Sequence, residues 1–276
     1  MKKISIITPC LNSEKTIRAT LESIRFLINL GAQHIIVDSG STDKTVEIAR
    51  QFGSEILYHP PGNMYAAINA GVEKATGEWL TYINSDDLLF ADYVVEALEV
   101  ASNEVDVIYG DIDFIDDQGR FLFNRSAPDP RHLSWLMRYY NPFPQQGTLF
   151  RREAFDRVGG FDTQFRFASD LDFFVRCILG GERFYKFRGK SVAAFRLSPG
   201  QLSQRARIEM APEGIRIRTK LQEERNSIPK WVGRPLAGFF RVGTNLDSIF
   251  LRWLRGRQQD AAWRSGHSIS PWRGKS

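Results

Sequence analysis

The sequence predicts an α/β fold: a mixed, mainly parallel sheet flanked by helices, followed by a basic helical C-terminal tail. Three observations carry that prediction. Over the first ~90 residues, short β-branched runs alternate with segments whose apolar residues recur at helical spacing, as in a parallel doubly wound unit. After Asp87, two alternating runs flank Asp116-Asp117-Gln118-Gly119, a hairpin signal that makes the sheet mixed. Beyond Gln201 the composition turns Arg-rich: residues 201–276 hold 15 Lys and Arg against 6 Asp and Glu, a net of +9 that leaves −4 for residues 1–200. An acidic part and a basic part imply different tasks, and a soft boundary divides residues 1–204 from 205–276.

With 276 residues, 42% hydrophobic and 25% charged, the chain can bury the core of one large domain with a tail. Cys10 and Cys177 are far apart and outside any Cys-x-x-Cys spacing, so neither a disulfide framework nor a zinc site is indicated, and a reducing cytoplasm suits them. The apolar run from Ile4, broken by Pro9, is too short for a signal peptide and reads as a first strand. No segment offers the roughly 18 uninterrupted apolar residues of a membrane span.

Ile4 to Thr8 reads as a buried strand and Pro9 to Asn12 as a turn. Ser13 or Asn12 then caps a helix whose apolar positions Ile17, Leu21, Ile24 and Leu27 share a face, and Gly31 ends it. His34 to Asp38 is a second strand, and Asp43 caps a helix from Lys44 to Phe52, closed by Gly53. Glu55 to Tyr58, a helix from Met64 to Ala75, and Glu78 to Ile83 continue the alternation, joined by right-handed crossovers. A helix from Tyr93 to Ala101 precedes the hairpin strands Val105 to Ile115 and Arg120 to Asn124. Pro128 and Pro130 open a short amphipathic helix through Tyr140, and Pro142 and Pro144 break the chain before a strand from Gln146 to Phe150 and a helix from Arg152 to Val158. Ser169 caps a helix to Leu179, and Val192 to Phe195 is a last strand. From Leu236 to Leu254, Phe239, Val242, Leu246, Ile249, Phe250 and Trp253 form one helical stripe, opposite Arg241, Asn245, Ser248, Arg252 and Arg255.

Trp79 to Asp87 reads as a buried strand that stops at adjacent acids. Polar clusters follow three strands: Thr8-Pro9 with Asn12, Asp38 to Asp43, and Asn84 to Asp87. Parallel strands bring all three to the carboxyl edge of the sheet, where ligands of open α/β sheets bind. Asp86 and Asp87 there suit a hard divalent cation and, through it, phosphate oxygens; they equally suit a helix N-cap. Asp170 and Asp172 lie near a helix start, where carboxylates also favour the helix dipole, and Arg176 has i, i+4 spacing from Asp172. Gln145 and Gln146 read either as acceptor contacts or as buried, satisfied amides. The four histidines lack metal-ligand spacing. No GxGxxG motif follows the first strand and no P-loop occurs, which disfavours a dinucleotide-dependent oxidoreductase or a P-loop kinase.

Taken in order, Ile4 to Asn12 with its Thr8-Pro9, Ile36 to Asp43, Gly62 to Gly71, Ala75 to Trp79, Asn84-Ser85-Asp86-Asp87, Gly159-Gly160-Phe161-Asp162 and Ala168 to Arg176 resemble the family 2 glycosyltransferases over residues 4–200. That resemblance implies the GT-A fold and a nucleotide-sugar donor. By position it implies that Thr8, Pro9 and Asn12 line the nucleotide pocket, that Asp38 receives the base, and that Ser39, Asn69 and Ser85 also face the nucleotide. Asp86, with Asp87 beside it, would hold Mg or Mn on the donor diphosphate. Asp170 would be the general base of a single displacement that inverts the sugar carbon. Four positions depart from the usual pattern: Asn84 for Asp in the metal motif, Ser39 for a second Asp, Ile68 for Arg before Asn69-Ala70-Gly71, and Ser169 for Glu before the base. The first and last also occur in an Asn-Ser-Asp-Asp subgroup.

The resemblance implies transfer of a hexose, most often from a UDP-sugar, to a glycan or lipid-linked glycan acceptor in cell-surface polysaccharide synthesis. The rivals are a sugar nucleotidyltransferase, which needs a Gly-rich, Arg-containing loop that Pro9 to Asn12 does not supply, and a non-catalytic nucleotide-sugar-binding protein. The basic tail carries no nucleic-acid motif, so nucleic acid is not an expected partner. Its amphipathic helix would either lie peripherally on the inner face of an anionic membrane or pack on the domain or a second subunit.

Overall fold

The computed structural model describes residues 3–102, 104–198, 207–223 and 230–246. The first half alternates as expected: β1 (Ile4–Cys10), α1 (Ile17–Asn29), β2 (Gln33–Asp38), α2 (Thr45–Gln51), β3 (Glu55–Tyr58), α3 (Met64–Lys74) and β4 (Trp79–Tyr82). β1 is buried along its length, and its twofold alternation sends Ile4 and Ile6 to one apolar core and Ile7 to the other. It pairs in parallel with β2 and β4, and β2 with β3. α3 lies directly on β1 and β2: a Cβ on Gly71 would stand 2.7 Å from Ile7 Cγ2 and 2.9 Å from Val37 Cγ2, so only glycine admits this approach.

The second half makes the sheet mixed. β5 (Leu88–Leu89), α4 (Ala91–Val100), β6 (Val107–Asp116) and β7 (Phe121–Arg125) lead through a 3-10 turn (Pro130–His132) and α5 (Leu133–Leu136) to β8 (Leu149–Arg151). Then follow α6 (Arg152–Val158), α7 (Ser169–Gly180) and β9 (Phe184–Leu197). The strand order is β3-β2-β1-β4-β8-β6-β9-β5, with β7 as a hairpin on β6. β8 runs antiparallel to β4 and β6, whereas β9 runs parallel to β6 and antiparallel to β5.

Several boundaries differ from the sequence reading, each for a local reason. α1 begins at Ile17 because Ser13 does not cap it: the Ser13 N–H donates to Thr45 Oγ1 at 2.7 Å, and its hydroxyl lies 2.7 Å from that of Ser85. The helix expected through Tyr140 is a 3-10 turn capped by Asp129 and a four-residue α5. β9 starts at Phe184, well before the expected Val192, because its alternating cations find partners: Lys186 meets Asp111 at 2.9 Å, Arg188 meets Asp129 at 2.8 Å, and Lys190 meets Asp92 and Glu96.

After these come α8 (Arg207–Glu223) and α9 (Lys230–Gly243). α8 buries Ile217 and Leu221 completely in the core shared with α3 and α7. α9 buries Ala237, sets Phe240 against His132 and Trp135, and anchors its end through Asn245 Oδ1, which accepts the Ser126 N–H at 3.0 Å. The predicted stripe positions Ile249, Phe250 and Trp253 lie outside the described residues.

His34 gives the fold an acid-sensitive joint. Its Nε2 lies 3.0 Å from Thr8 Oγ1 and its Nδ1 2.7 Å from Ser54 Oγ, and burial pushes the imidazole down to about 3. The native ring stays neutral while the unfolded ring protonates below its ordinary pKa near 6.5, so stability present above 6.5 is lost as pH falls toward 3. Between pH 7 and pH 5 the wild type should lose about 2 kcal/mol more than His34→Gln, from the linkage slope. Urea-denaturation midpoints of both proteins at the two pH values measure the difference.

Candidate active site

The carboxyl ends of β1, β2 and β4 form one hydrogen-bonded edge. Asn12, exposed and held at φ 50, donates its N–H to Ser41 Oγ at 2.9 Å and accepts the Thr42 N–H on Oδ1 at 2.9 Å. Asn tolerates that left-handed conformation better than most residues. Ser13 continues the link from the first cluster to the second, through Thr45, and to the third, through Ser85. The Glu14 N–H donates to Asp43 Oδ2 at 3.0 Å, and Asp43 Oδ1 accepts from the N–H and hydroxyl of Thr45 at the start of α2. Desolvation pushes the Asp43 carboxyl up, but the Thr45 hydroxyl and the backbone donors outweigh it and hold the group below the ordinary range.

Asp38 ends β2 nearly buried, its Oδ2 accepting the N–H groups of Gly40 and Ser41, both at 3.0 Å. It shapes the turn that Asn12 clamps. Cys10 Sγ donates to Asp38 Oδ1 at 3.5 Å, and burial together with the Asp38 charge pushes the thiol up, out of any reactive range. Thr8 and Pro9 are buried: the Thr8 hydroxyl serves His34, so at this point the edge is bordered by backbone and not by the threonine side chain.

After β4 the two acids separate in role. Asp87 is fully buried, with Oδ1 accepting the Arg196 N–H at 2.9 Å and Oδ2 accepting Gln146 Nε2 at 3.0 Å and Asn84 Nδ2 at 3.2 Å. Burial and the neighbouring Asp86 charge push its carboxyl up to about 8 against those three donors. Both its oxygens are occupied within the protein, so the two-carboxylate metal site expected from sequence narrows to the half-buried Asp86. Asn84 Oδ1 is a buried oxygen with no hydrogen-bond partner among the described residues, and its amide nitrogen, turned to Asp87, fixes that orientation. A neutral hard oxygen and a carboxylate, two residues apart in one loop, are ligand types that suit a divalent cation. No cluster of three His, Cys, Asp or Glu able to hold a metal occurs among the described residues, so phosphate oxygens and water would complete the shell.

Asp170 opens α7. Its Oδ1 accepts the Leu171 N–H at 2.8 Å and the Tyr65 hydroxyl at 3.2 Å. Burial, with the Glu213 charge adding to it, raises the half-buried carboxyl above the ordinary carboxylate range. Tyr65 also interacts with the phenol of Tyr82, the last residue of β4. Asp172, one turn away from solvent, is fully buried between Arg176 Nε at 2.6 Å and Lys220 Nζ at 3.1 Å. Arg176 in turn donates to the carbonyls of Val158 and Gly160, fixing the left-handed Gly159-Gly160 pair. That pair delivers Phe161 into an aromatic cluster, 5.0 to 5.5 Å from Tyr65, Tyr82, Phe155 and Phe173.

Asn69 and Ser169 find partners other than those expected. Asn69 pairs with the Phe161 backbone through both amide atoms, at 2.8 and 3.1 Å, and so ties α3 to the glycine turn. Ile68, the departure from Arg, is fully buried in the core and faces no diphosphate. Ser169 does not cap α7: its hydroxyl donates to the Asp162 carbonyl at 2.9 Å. Gln146 proves to be a buried amide serving Asp87, and Gln145 donates to the Tyr82 carbonyl. Sequence reasoning missed Arg196, whose backbone serves Asp87 and whose guanidinium donates to the Asp86 carbonyl at 2.7 Å; an arginine in a strand carries no signal of that partner.

The sequence model of glycosyl transferase family 2 matches residues 5–168. A PGL/p-HBAD biosynthesis glycosyltransferase of Mycobacterium bovis is 32% identical over 182 residues, 63% of this chain and 68% of that protein. Among solved structures, S. aureus TarS 1-349 in complex with UDP-GlcNAc superposes with a TM-score of 0.63 at 20% identity, over 82% of this chain and 68% of that one. Mannosyltransferase PcManGT of Pyrobaculum calidifontis, in complex with GDP-Man and Mn2+, gives a TM-score of 0.59 at 18% identity, over 94% and 76%. These likenesses identify the fold as GT-A.

The separation of the two acids is measurable. Asp87→Ala strands three donors inside the protein and should lower the unfolding free energy by about 3 kcal/mol or more, as orphaned buried donors do. Asp86→Ala strands none of those three donors and should lower it by less. Urea unfolding of the two variants gives both values.

Proposed function

This chain belongs to glycosyl transferase family 2, and from that premise we propose that it is a metal-assisted, inverting enzyme that moves a hexose from a nucleotide-diphosphate donor, a UDP-sugar first, to a glycan or lipid-linked glycan acceptor. The observation that carries this reading is Asp170: a half-buried carboxylate of raised pKa, joined through Tyr65 and Tyr82 to the strand that ends in Asn84 and Asp86. A general base works best when its pKa lies near the operating pH, and burial moves this one in that direction. The UDP-GlcNAc bound by TarS and the GDP-Man and Mn2+ bound by PcManGT support the donor class and the cation. The Mycobacterium bovis relative named as a PGL/p-HBAD biosynthesis glycosyltransferase supports glycosyl transfer as the reaction.

The donor nucleotide would lie along the edge built by Asn12, Asp38, Ser39 and Ser85, its base toward Asp38. Asn84 Oδ1 and Asp86 would hold Mg or Mn, which as a Lewis acid offsets the charge growing on the departing diphosphate. Leu171 N–H and Tyr65 O–H occupy Oδ1 of Asp170, which leaves Oδ2 to take the acceptor's hydroxyl proton. The acceptor oxygen then bonds to the anomeric carbon from the face opposite the diphosphate. The old C–O bond breaks with its electron pair leaving on the nucleoside diphosphate, and the centre inverts.

The tail has two faces. Ala237 and Phe240 pack inward, while Leu236, Phe239, Val242 and Leu246 stay exposed, Phe239 at 77%. No helix among the described residues is long and apolar enough to cross a membrane. We place the outward stripe in the interface of an anionic membrane, where lipid-linked acceptors reside and the basic residues of the tail gain roughly 1 kcal/mol each.

Asp170→Asn keeps shape but cannot accept a proton, so turnover should fall by about 10²-fold or more with donor affinity little changed. EDTA should abolish transfer, and NMR of the wild-type product should show the inverted anomer. Retention, full activity of Asp170→Asn, or transfer undiminished by EDTA each removes its part of the mechanism.

Liposome flotation tests the tail. The wild type should float with anionic and not with zwitterionic vesicles at low salt, whereas Phe239→Ser combined with Val242→Ser should stay in the soluble fraction. Equal partitioning of the two proteins would refute the membrane contact.

A further inference from the structure

We propose that Glu213, on α8 and beyond the family-matched span, is a positioning residue for Asp170, clamping from outside the backbone on which that carboxylate is mounted. Its Oε1 accepts the Arg166 N–H at 2.8 Å, and its Oε2 accepts the N–H groups of Phe167 and Ala168, both at 2.9 Å. These donors lie immediately before α7, whose second residue is Asp170. A charged acceptor of consecutive backbone donors makes strong, short hydrogen bonds. The same segment is gripped from the opposite side, where Tyr65 Oη donates to the Phe167 carbonyl at 3.3 Å and also reaches Asp170. The approach to the base is therefore held through its N–H groups by α8 and through a carbonyl by α3.

α8 is itself fixed well enough to act as a clamp. One turn beyond Glu213, Ile217 is fully buried, and Leu221 follows it into the same core. Lys220 pairs with the buried Asp172, and Arg216 and Lys220 lie over the Phe165 ring at 5.2 and 5.3 Å. The α7 N-terminus has no side-chain cap of its own. Glu213 does not take the place of that cap; it fixes the three N–H groups of the segment leading into the helix.

The inference rests on Asp170 being the base, and the experiment separates the two claims. Glu213 also places a negative charge near Asp170, which adds to the upward push that burial gives that carboxyl. In Glu213→Gln the amide nitrogen faces backbone donors, so kcat should fall by on the order of 10- to 100-fold, the scale of a small misplacement of a reacting group. Donor KM should stay near the wild-type value. Loss of the charge should move the acid limb of the kcat/KM profile to lower pH. Glu213→Asp keeps the charge and should leave that limb in place while kcat drops. Arg216→Ala, which loosens only the stacking on Phe165, should match the wild type. In an Asp170→Asn background Glu213→Gln should cost nothing further, because it acts through the missing base. A wild-type kcat in Glu213→Gln, or a fall in kcat with an unmoved acid limb, would overturn the clamp and leave Glu213 as a stabilising contact. Full activity of Asp170→Asn would instead remove the base assignment itself, whatever Glu213 does.

Discussion

The buried carboxyl group of Asp87 is the anchor on which the loop after β4 depends. Three donors converge on it: Asn84 from the same loop, Gln146 before β8, and the backbone of Arg196 in β9. Its own carbonyl accepts the Thr20 hydroxyl of α1 at 2.8 Å. A polar group taken out of water at this depth is tolerable only when such donors surround it. Meeting that demand pulls the mixed half of the sheet against the parallel half and fixes the loop where Asn84 and Asp86 sit. The adjacent acids thus differ in place, Asp87 enclosed as an anchor and Asp86 half-buried.

A second constraint runs through α7. Asp172 faces inward, neutralised by Arg176 and Lys220, and Asp170 faces the site, two residues away. Arg176 passes the restraint on to the Gly159-Gly160 turn, and that turn to Phe161 at the centre of the aromatic cluster. Asp170 and the core are therefore aligned by one chain of contacts. α8 joins that chain: residues that read as a separate basic tail bury two side chains in the main core and meet the approach to Asp170.

Legibility in the sequence follows the range of each interaction. The β-α alternation of residues 4–83 and the three polar clusters at strand ends are local patterns, and the structure builds them where the pattern says. Ser13, Asn69 and Ser169 read plausibly as caps or ligand contacts, yet each spends its polar atoms on a partner 7 to 92 residues away. The early start of β9 escaped a periodicity reading because its cations look like a solvated segment until Asp92, Glu96, Asp111 and Asp129 are placed opposite them.

The fold class and the polar edge of the sheet were legible in the chain alone, because hydrophobic period and strand direction are properties taken a few residues at a time. The acids were legible too. Folding settled that Asp87 is enclosed and Asp86 half-buried, that the Thr8 hydroxyl serves His34, and that Glu213 reaches the backbone ahead of Asp170. Those outcomes turn on which donors surround each carboxylate or hydroxyl once the strands have paired, and a polar side chain carries no mark of the partner that folding will bring to it.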